Sequence, residues 1–536
     1  MGIRKLLVAN RGEIAVRIFR TCRDLGIGTV AVAAPDDRGA LHVRLADETV
    51  EIASYLVSEE HIHAARQAGA DAIHPGYGFL AENADFAEAV EAAGLVFVGP
   101  TPAALRRGGD KLEAKRIARG VGVPVLEEGE PHELGFPLMI KAAAGGGGRG
   151  MRIVRAEGEL EEALAAARRE ATAAFGDDTL FCERYLERPR HVEVQVLADG
   201  RGGVVSLGER ECSIQRRHQK VLEESPSPAL DASLRRRMSE AATALARAVG
   251  YRSAGTVEFL LDERDFYLLE LNARIQVEHP VTEEALGIDL VEYQLEIAAG
   301  GVLASLPAVA QNSAVEVRLY AEDPLTFLPQ AGRIERLRLP RGMRVDAGVA
   351  EGDEVGVAYD PMIAKLIASG GTRERALERL AAALAETEVG GVVTNLPLLR
   401  WLVAHPAVRA GETTTAFLAD YPPLSDYPLR LPDHPWRGAW RLNLPPPARS
   451  SPPSLEAAPG EAGAESSAVT APMPGTIVRV NIASGDRVHP RQPLVVLEAM
   501  KMETPLVSPY EAVVRAVHVA EGDRVAGGAV LVELEE

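Results

Sequence analysis

Residues 266–280 read FYLLELNARIQVEHP, with Glu270, Asn272, Arg274, Gln276 and Glu278 alternating with Leu269, Leu271, Ala273, Ile275 and Val277. An extended chain sends alternate side chains to opposite faces. The spacing therefore predicts a strand-like segment over 266–277 with one apolar face for the core and one face carrying carboxylates, amides and a guanidinium. A strand edge washed by water would favour Lys, Thr or Glu over so mixed a set around one arginine. Glu258, in residues 256–261 (TVEFLL), adds a carboxylate from what the pattern makes a neighbouring strand. Glu258, Glu270 and Asn272 are oxygen donors of the kind that hold Mg2+ jointly with nucleotide phosphates.

The nucleotide reading gains weight upstream. Lys141 is followed by three alanines and then by Gly145, Gly146, Gly147 and Gly148. Successive glycines let the backbone fold tightly and turn several N–H groups toward one anion, as a phosphate cradle requires. Flexible hairpins share that composition, so the loop counts only beside the polar row. The lysines point the same way. Of 58 basic residues only seven are lysine (Lys5, Lys111, Lys115, Lys141, Lys220, Lys365 and Lys501) and the other 51 are arginine. Where arginine serves every generic positive charge, the remaining lysines mark places that need a compact ammonium or a primary amine, drift under skewed codon usage being the alternative for any one of them.

Around this centre the chain falls into regions. Residues 1–109 alternate short apolar runs (5–9, 29–33, 72–74 and 95–98) with helical patterns, the signature of a doubly wound parallel sheet. Residues 110–310 read as α+β. Residues 311–428 hold further strands and a helix around 373–388 with leucines at helical spacing. Residues 445–472, PPPARSSPPSLEAAPGEAGAESSAVTAP, are a linker able to span on the order of 80 Å at ~3.1 Å per residue. The last segment repeats itself: GDRV occurs at 485–488 and 522–525, and LVVLE at 494–498 recurs as LVELE at 531–535, both 37 residues apart. Two similar halves of short strands predict a small barrel or sandwich with approximate twofold symmetry. The domain's one lysine, Lys501, lies in AMKM at 499–502 near the joint between the halves, where a turn would present its amine.

Composition narrows the possibilities. At ~150 residues per domain, 536 residues give three to four domains. A net charge of −19 has the wrong sign for coating nucleic-acid phosphates. No apolar run approaches the ~18 residues of a membrane span, and no signal peptide is visible. Cys22, Cys182 and Cys212 are odd in number and in no CxxC spacing, which argues against a disulfide framework or zinc site. The expectation is a cytoplasmic protein with neither nucleic-acid nor membrane partners.

Several motifs together resemble biotin carboxylase, a branch of the ATP-grasp fold, over most of residues 1–425: ANRGEIA at 9–15, HPGYGFLAEN at 74–83, GDK at 109–111, the glycine loop, RHVEVQVLAD at 190–199, ERECSIQRRHQK at 209–220 and RIQVEHP at 274–280. AMKM, with PMPG at 472–475 upstream, is similar to the biotinyl carrier domain of biotin-dependent carboxylases. Met500 and Met502 flank its lysine, whereas lipoyl carrier domains usually show Asp before and Ala after. The resemblance implies a biotin carboxylase N-terminal domain at 1–109, an ATP-grasp domain at 110–310 with a lid at about 123–185, and a carboxylase C-terminal domain at 311–428. A short docking segment and linker at 429–471 and an all-β biotinyl/lipoyl-type barrel at 472–536 complete it.

The resemblance also implies roles. Lys111 and Lys141 bind ATP phosphates with the loop glycines Gly146 and Gly147, Glu183 and Tyr185 lie at the adenine hinge, and His191, Gln215 and His218 line the nucleotide site. Glu258, Glu270 and Asn272 hold Mg2+ (or Mn2+). Arg274, Gln276 and the Val277 amide hold bicarbonate, and Glu278 takes its proton. Lys220 and His218 neutralise the developing phosphate, and Arg318, in VEVRLYAED at 315–323, stabilises the biotin enolate. Such catalysis is positioning and charge neutralisation. Biotin would be attached to Lys501 by a biotin protein ligase. Nothing in the sequence reads as a carboxyltransferase, so the resemblance implies a separate acyl-CoA carboxylase β chain, with acetyl-CoA or propionyl-CoA as leading acceptors, and a homodimeric carboxylase body.

Two departures stand out. The stretch between Lys111 and Lys141 is short for the family, and residues 429–444 with the linker are too short for the extra docking domain of many α chains; Trp436 and Trp440 offer a small contact patch instead. Two other readings remain at this point: an ATP-grasp ligase of another carboxylate with a lipoyl-type domain, and a non-catalytic carrier or scaffold.

Overall fold

A computed structural model describes residues 2–143, 151–175, 177–216, 219–303, 310–356, 358–424, 468–471, 475–489, 492–499, 502–525 and 529–535. The chain forms two compact units, one comprising Met1–Leu328, Gly332–Val355 and Met362–Pro423, the other Pro329–Ala331, Gly356–Pro361 and Leu424–Glu536.

In the larger unit, the alternating runs of the first hundred residues close into a parallel sheet of five strands ordered Glu48–Glu51, Gly28–Ala33, Lys5–Val8, Ala72–His74 and Val96–Phe97. Helices such as Gly12–Asp24, Ser58–Ala68 and Ala84–Ala92 make the crossovers, the last capped by the Asn83 side chain. Leu6, Leu7 and Val8 are wholly buried, as befits a strand covered on both faces. The sequence reading missed the strand Glu48–Glu51, because on this edge only Val50 is buried and no apolar run marks it.

The larger unit's second sheet is antiparallel and eight-stranded, ordered Asp265–Asn272, Arg252–Asp262, Arg190–Asp199, Val204–Arg216, Gln219–Ser225, Ser313–Tyr320, Met362–Gly370 and Arg344–Ala347. It passes without a break from the region expected to end at 310 into the region after it, through the pairing of Leu222 with Val317. Beside it, Leu138–Ala142, Arg152–Val154 and Leu180–Arg184 form a small antiparallel sheet that packs with the helix Leu160–Phe175 around Leu138, Ile140, Val154 and Ala167.

One expectation is corrected here. The strand read over 266–277 stops at Asn272, and Pro280 sits in the first turn of the helix His279–Leu286, so residues 273–278 are a connection. A register shift between the pairs Glu258 with Glu270 and Phe259 with Leu268 leaves Leu269 as an extra residue. Such a bulge changes the phase of alternation, which is why Leu268 is more deeply buried than Leu269.

The smaller unit contains two four-stranded sheets: Ala468–Thr470, Val530–Glu535, Ala512–Val517 and Arg487–Val488; and Met502–Val507, Pro493–Ala499, Gly475–Val480 and Arg524–Val525. The sequence repeat is also a structural one. Arg487–Val488 and Arg524–Val525 are corresponding short strands, each preceded by a glycine in the left-handed region, Gly485 at φ 95° and Gly522 at φ 92°. Ile477, Val488, Leu494, Leu497, Leu531 and Leu534 are buried. Ala468–Thr470 pairs with the strand Val530–Glu535, so this domain's first strand lies ahead of the boundary expected at 472. Trp436 and Trp440 lie outside the described residues. The three cysteines are free and buried, and no described helix is long and apolar enough to cross a membrane.

Candidate active site

The antiparallel strands Arg252–Asp262 and Asp265–Asn272 set Glu258 opposite Glu270 and Thr256 opposite Asn272. Glu258 gathers polar side chains from four directions. Its Oε1 accepts from Asn272 Nδ2, Gln276 Nε2 and Lys220 Nζ, each at 2.9 Å. Its Oε2 lies 2.8 Å from His191 Nε2, and Gln215 meets the other ring nitrogen of His191 at 2.5 Å. Asn272 also donates to Glu270 at 3.3 Å.

Lys220 is shared by three buried carboxylates, since its Nζ is 2.5 Å from Glu193 as well as bonded to Glu258 and Glu278. Arg210, wholly buried on the next strand, secures Glu193 and also donates to Gln195, Thr256 and Thr282. Arg318 comes from Ser313–Tyr320 and donates to Glu223 at 2.6 Å and to Glu278 Oε2 at 2.9 Å. Both oxygens of Glu278 are thus held by cations. Burial alone would push the Glu278 carboxyl up, but Lys220, Arg318 and Arg210 hold it well below the usual range. Burial disfavours the charge of Lys220, yet Glu193, Glu258 and Glu278 keep it firmly ionised.

Arg274 lies on the rim, donating to Glu82 at 3.0 Å, Gln276 at 2.8 Å and Asn272 at 3.1 Å. Glu82 also accepts from the Ala273 N–H at 3.1 Å and so fixes the chain where the strand ends. The Val277 carbonyl accepts from Lys365 at 2.9 Å.

A second charged group gathers near the small three-stranded sheet. Glu183 is buried between Lys141 and Lys115, and Lys115 also lies 2.7 Å from Glu128. Although burial pushes Glu183 up, the two lysines hold it below the ordinary carboxylate range. Lys111 opens the helix Lys111–Gly120, capped by Asp110, and burial, with Lys141 nearby, lowers its amine. Tyr185 stacks under Arg155, with 5.9 Å between guanidinium and ring centre.

The cation site can be tested against this geometry. Glu258 and Glu270 offer carboxylate oxygens from adjacent strands, while the Asn272 amide turns its nitrogen to both and its oxygen to Arg274, and Glu270 is pushed up by burial and by the charge of Glu258. Two buried carboxylates on paired strands, the charge of one pushing the other up, fit a hard divalent cation such as Mg2+. His191, Glu193 and Glu258 also bring ligand atoms together, but Lys220 already bonds both carboxylates of that set.

The structure thus gathers Glu258, Glu270, Asn272, Arg274, Gln276, Glu278, Lys220, His191, Gln215 and Arg318 into one region of the eight-stranded sheet. Gly146, Gly147, His218 and Lys501 lie outside the described residues; Ala499 and Met502, on either side of Met500 and Lys501, are paired strand partners. Sequence reading missed Glu193, Glu223, Glu82, Lys115 and Lys365. The scarcity of lysine could have found two of them, and the alternation in RHVEVQVLAD a third.

Four family models match the chain: biotin carboxylase, N-terminal domain, at residues 2–105; carbamoyl-phosphate synthase L chain, ATP binding domain, at 110–306; biotin carboxylase C-terminal domain at 316–420; and biotin-requiring enzyme at 467–534. A biotin carboxylase of Halalkalibacterium halodurans is 50% identical over 441 residues, covering 78% of this chain and 98% of that one. The propionyl-CoA carboxylase alpha chain of Ruegeria pomeroyi is 46% identical over 473 residues, covering 80% and 70%. Among solved structures, the biotin carboxylase domain dimer of Hydrogenobacter thermophilus 2-oxoglutarate carboxylase, in complex with MgADP, ADP and bicarbonate, superposes with a TM-score of 0.77 at 42% identity, covering 79% and 98%.

Proposed function

Since the chain belongs to the biotin-dependent carboxylase family, as a biotin carboxylase fused to a biotin carrier domain, we propose that it uses MgATP and bicarbonate to carboxylate biotin carried on Lys501, for delivery to a separate carboxyltransferase chain acting on an acyl-CoA. The observation that carries the site assignment is Glu278, an ionised buried carboxylate with Lys220 on one oxygen and Arg318 on the other.

In this reading Lys111, Lys141 and the glycine loop take the ATP phosphates, with Glu183, Tyr185, His191, Gln215 and His218 about the nucleotide. Glu258, Glu270 and Asn272 hold Mg2+, which when bound neutralises phosphate oxygens. Bound biotin supplies the nitrogen that receives the carboxyl group. Arg274, Gln276 and the Val277 N–H hold bicarbonate, and Glu278 removes its proton as its oxygen attacks the γ-phosphorus. Lys220 and His218 neutralise the charge gathering on the transferred phosphoryl group.

The pairing of Lys220 explains how so acidic a carboxyl serves as a base. While Lys220 rests on Glu278 the carboxylate is a poor proton acceptor. A γ-phosphate that draws Lys220 toward itself removes one of the two cations, and the basicity of Glu278 rises when substrate is in place. Arg318 keeps its bond to Glu223 and remains as positive charge beside the receiving group.

The α-chain relative supports an acyl-CoA carboxylase β chain as partner, and acetyl-CoA and propionyl-CoA are the acceptors to assay first. The dimeric relative of known structure supports a homodimer of the carboxylase body. Biotin protein ligase is the modifying partner. The test is ADP release by the purified chain: dependence on bicarbonate and stimulation by free biotin support the reading. ATP hydrolysis indifferent to bicarbonate would favour a ligase of another carboxylate, and no hydrolysis a carrier or scaffold.

A further inference from the structure

Two carbonyl groups of the connection at 276–278 are bonded by side chains with no solvent exposure. His279 Nδ1 lies 2.7 Å from the Gln276 oxygen, and Lys365 Nζ lies 2.9 Å from the Val277 oxygen. A carbonyl only accepts, so Nδ1 carries the imidazole proton. In a trans peptide the N–H points opposite to the C=O. The bond from His279 to the Gln276 carbonyl therefore turns the Val277 N–H away from the imidazole. Among the described residues that N–H has no acceptor, although Gln276 and Glu278 on either side are buried.

Lys365 is itself anchored. Its Nζ lies 3.1 Å from Glu13 Oε2, and the other oxygen of Glu13 accepts from the Tyr77 hydroxyl. Asn10 donates at 2.8 Å to the carbonyls of both Pro75 and Tyr77 and so steadies the Tyr77 loop. The motifs ANRGEIA and HPGYGFLAEN thereby reach the 276–278 connection through a chain of buried polar contacts.

We propose that His279 and Lys365 are positioning residues that clamp the 276–278 backbone with the Val277 N–H directed at bicarbonate, setting bicarbonate affinity while touching neither ATP nor the reacting atoms. The inference rests on residues 274–277 being the bicarbonate site.

Steady-state ADP release by the full chain, with bicarbonate and ATP varied separately, tests it. Asn at 279 places an amide nitrogen where Nδ1 stood; Gln, close in size and polarity, places it nearer Nε2. We expect His279→Asn to keep the bicarbonate KM within about threefold and His279→Gln to raise it roughly tenfold, the worth of one lost hydrogen bond, with the ATP KM of both unchanged. Lys365→Met should raise the bicarbonate KM similarly and Lys365→Arg restore most of it. Equal bicarbonate KM values for the two His279 variants, or ATP and bicarbonate KM rising together, would overturn the clamp. If Lys365→Met does not fold, the two His279 variants decide alone. A wild-type chain whose ADP release ignores bicarbonate would instead refute the underlying carboxylase reading.

Discussion

The Nη2 of Arg318 lies 2.9 Å from Oε2 of Glu278, and the two residues come from regions that the sequence divides at 310. Arg318 stands on the strand Ser313–Tyr320, paired on one side with Gln219–Ser225, the strand of Lys220, and on the other with Met362–Gly370, the strand of Lys365. Three cationic side chains on three neighbouring strands thus act on one short connection, Lys220 and Arg318 on the Glu278 carboxylate and Lys365 on the Val277 carbonyl.

Glu278→Gln should lower kcat for bicarbonate-dependent ADP release by roughly 10²–10⁴, the usual worth of a positioned base, with little change in ATP KM. Lys220 retains Glu193 and Glu258, and Arg318 retains Glu223, so the variant should fold. Thermal unfolding beside the kinetics checks both halves; a kcat within threefold of wild type would remove Glu278 from the base role.

Glu183→Gln leaves Lys115 and Lys141 short of a shared buried carboxylate. Removing one partner from such a cluster costs about 3–5 kcal/mol, so the denaturant midpoint should fall. Saturating MgATP should recover part of the loss if its phosphates supply negative charge to Lys141, a linkage read from midpoints with and without nucleotide.

His74 is wholly buried, with the Gly76 N–H donating to Nδ1 at 3.0 Å and Nε2 3.2 Å from Gln294 Oε1. The neutral ring satisfies both neighbours, and burial pushes its pKa down to about 4. The unfolded chain binds this proton below about 6.5 and the folded chain only near 4, so the stabilisation is complete above pH 6.5 and is lost as pH falls through 4. The loss reaches about 3 kcal/mol. Urea unfolding from pH 7 to 4 should show the decline, and His74→Gln should remove this group's share, leaving that of other buried histidines such as His42.

Lys501→Arg should abolish retention of the chain on avidin and incorporation of label from radioactive bicarbonate into the protein. Arginine keeps the charge but cannot form the amide. Retention that survives the change would place the prosthetic group elsewhere.

The alternation from Glu270 to Glu278 announced the acceptor row, yet only Glu270 and Asn272 stand on the strand. The later members reach Glu258 and Lys220 by the path of a connection, which periodicity does not encode. Motif-rich positions such as Lys220 and Arg318 were legible because their neighbours in sequence are distinctive. Glu223 was not, since a glutamate in an apolar strand reads as a surface residue until the strand is seen to be internal. Lys365 was marked by rarity alone, and its partners Glu13 and Val277 are far from it in sequence.

The eight-stranded sheet has a consequence for how this protein can be taken apart. Because the seam at residue 310 is crossed by paired strands, the segment after it supplies three of the eight strands on which the proposed site rests. A fragment ending at 310 would expose the open edge of Gln219–Ser225 and lose both Arg318 and Lys365. Recombination that swaps this body for another must therefore carry residues on both sides of 310 as one cassette.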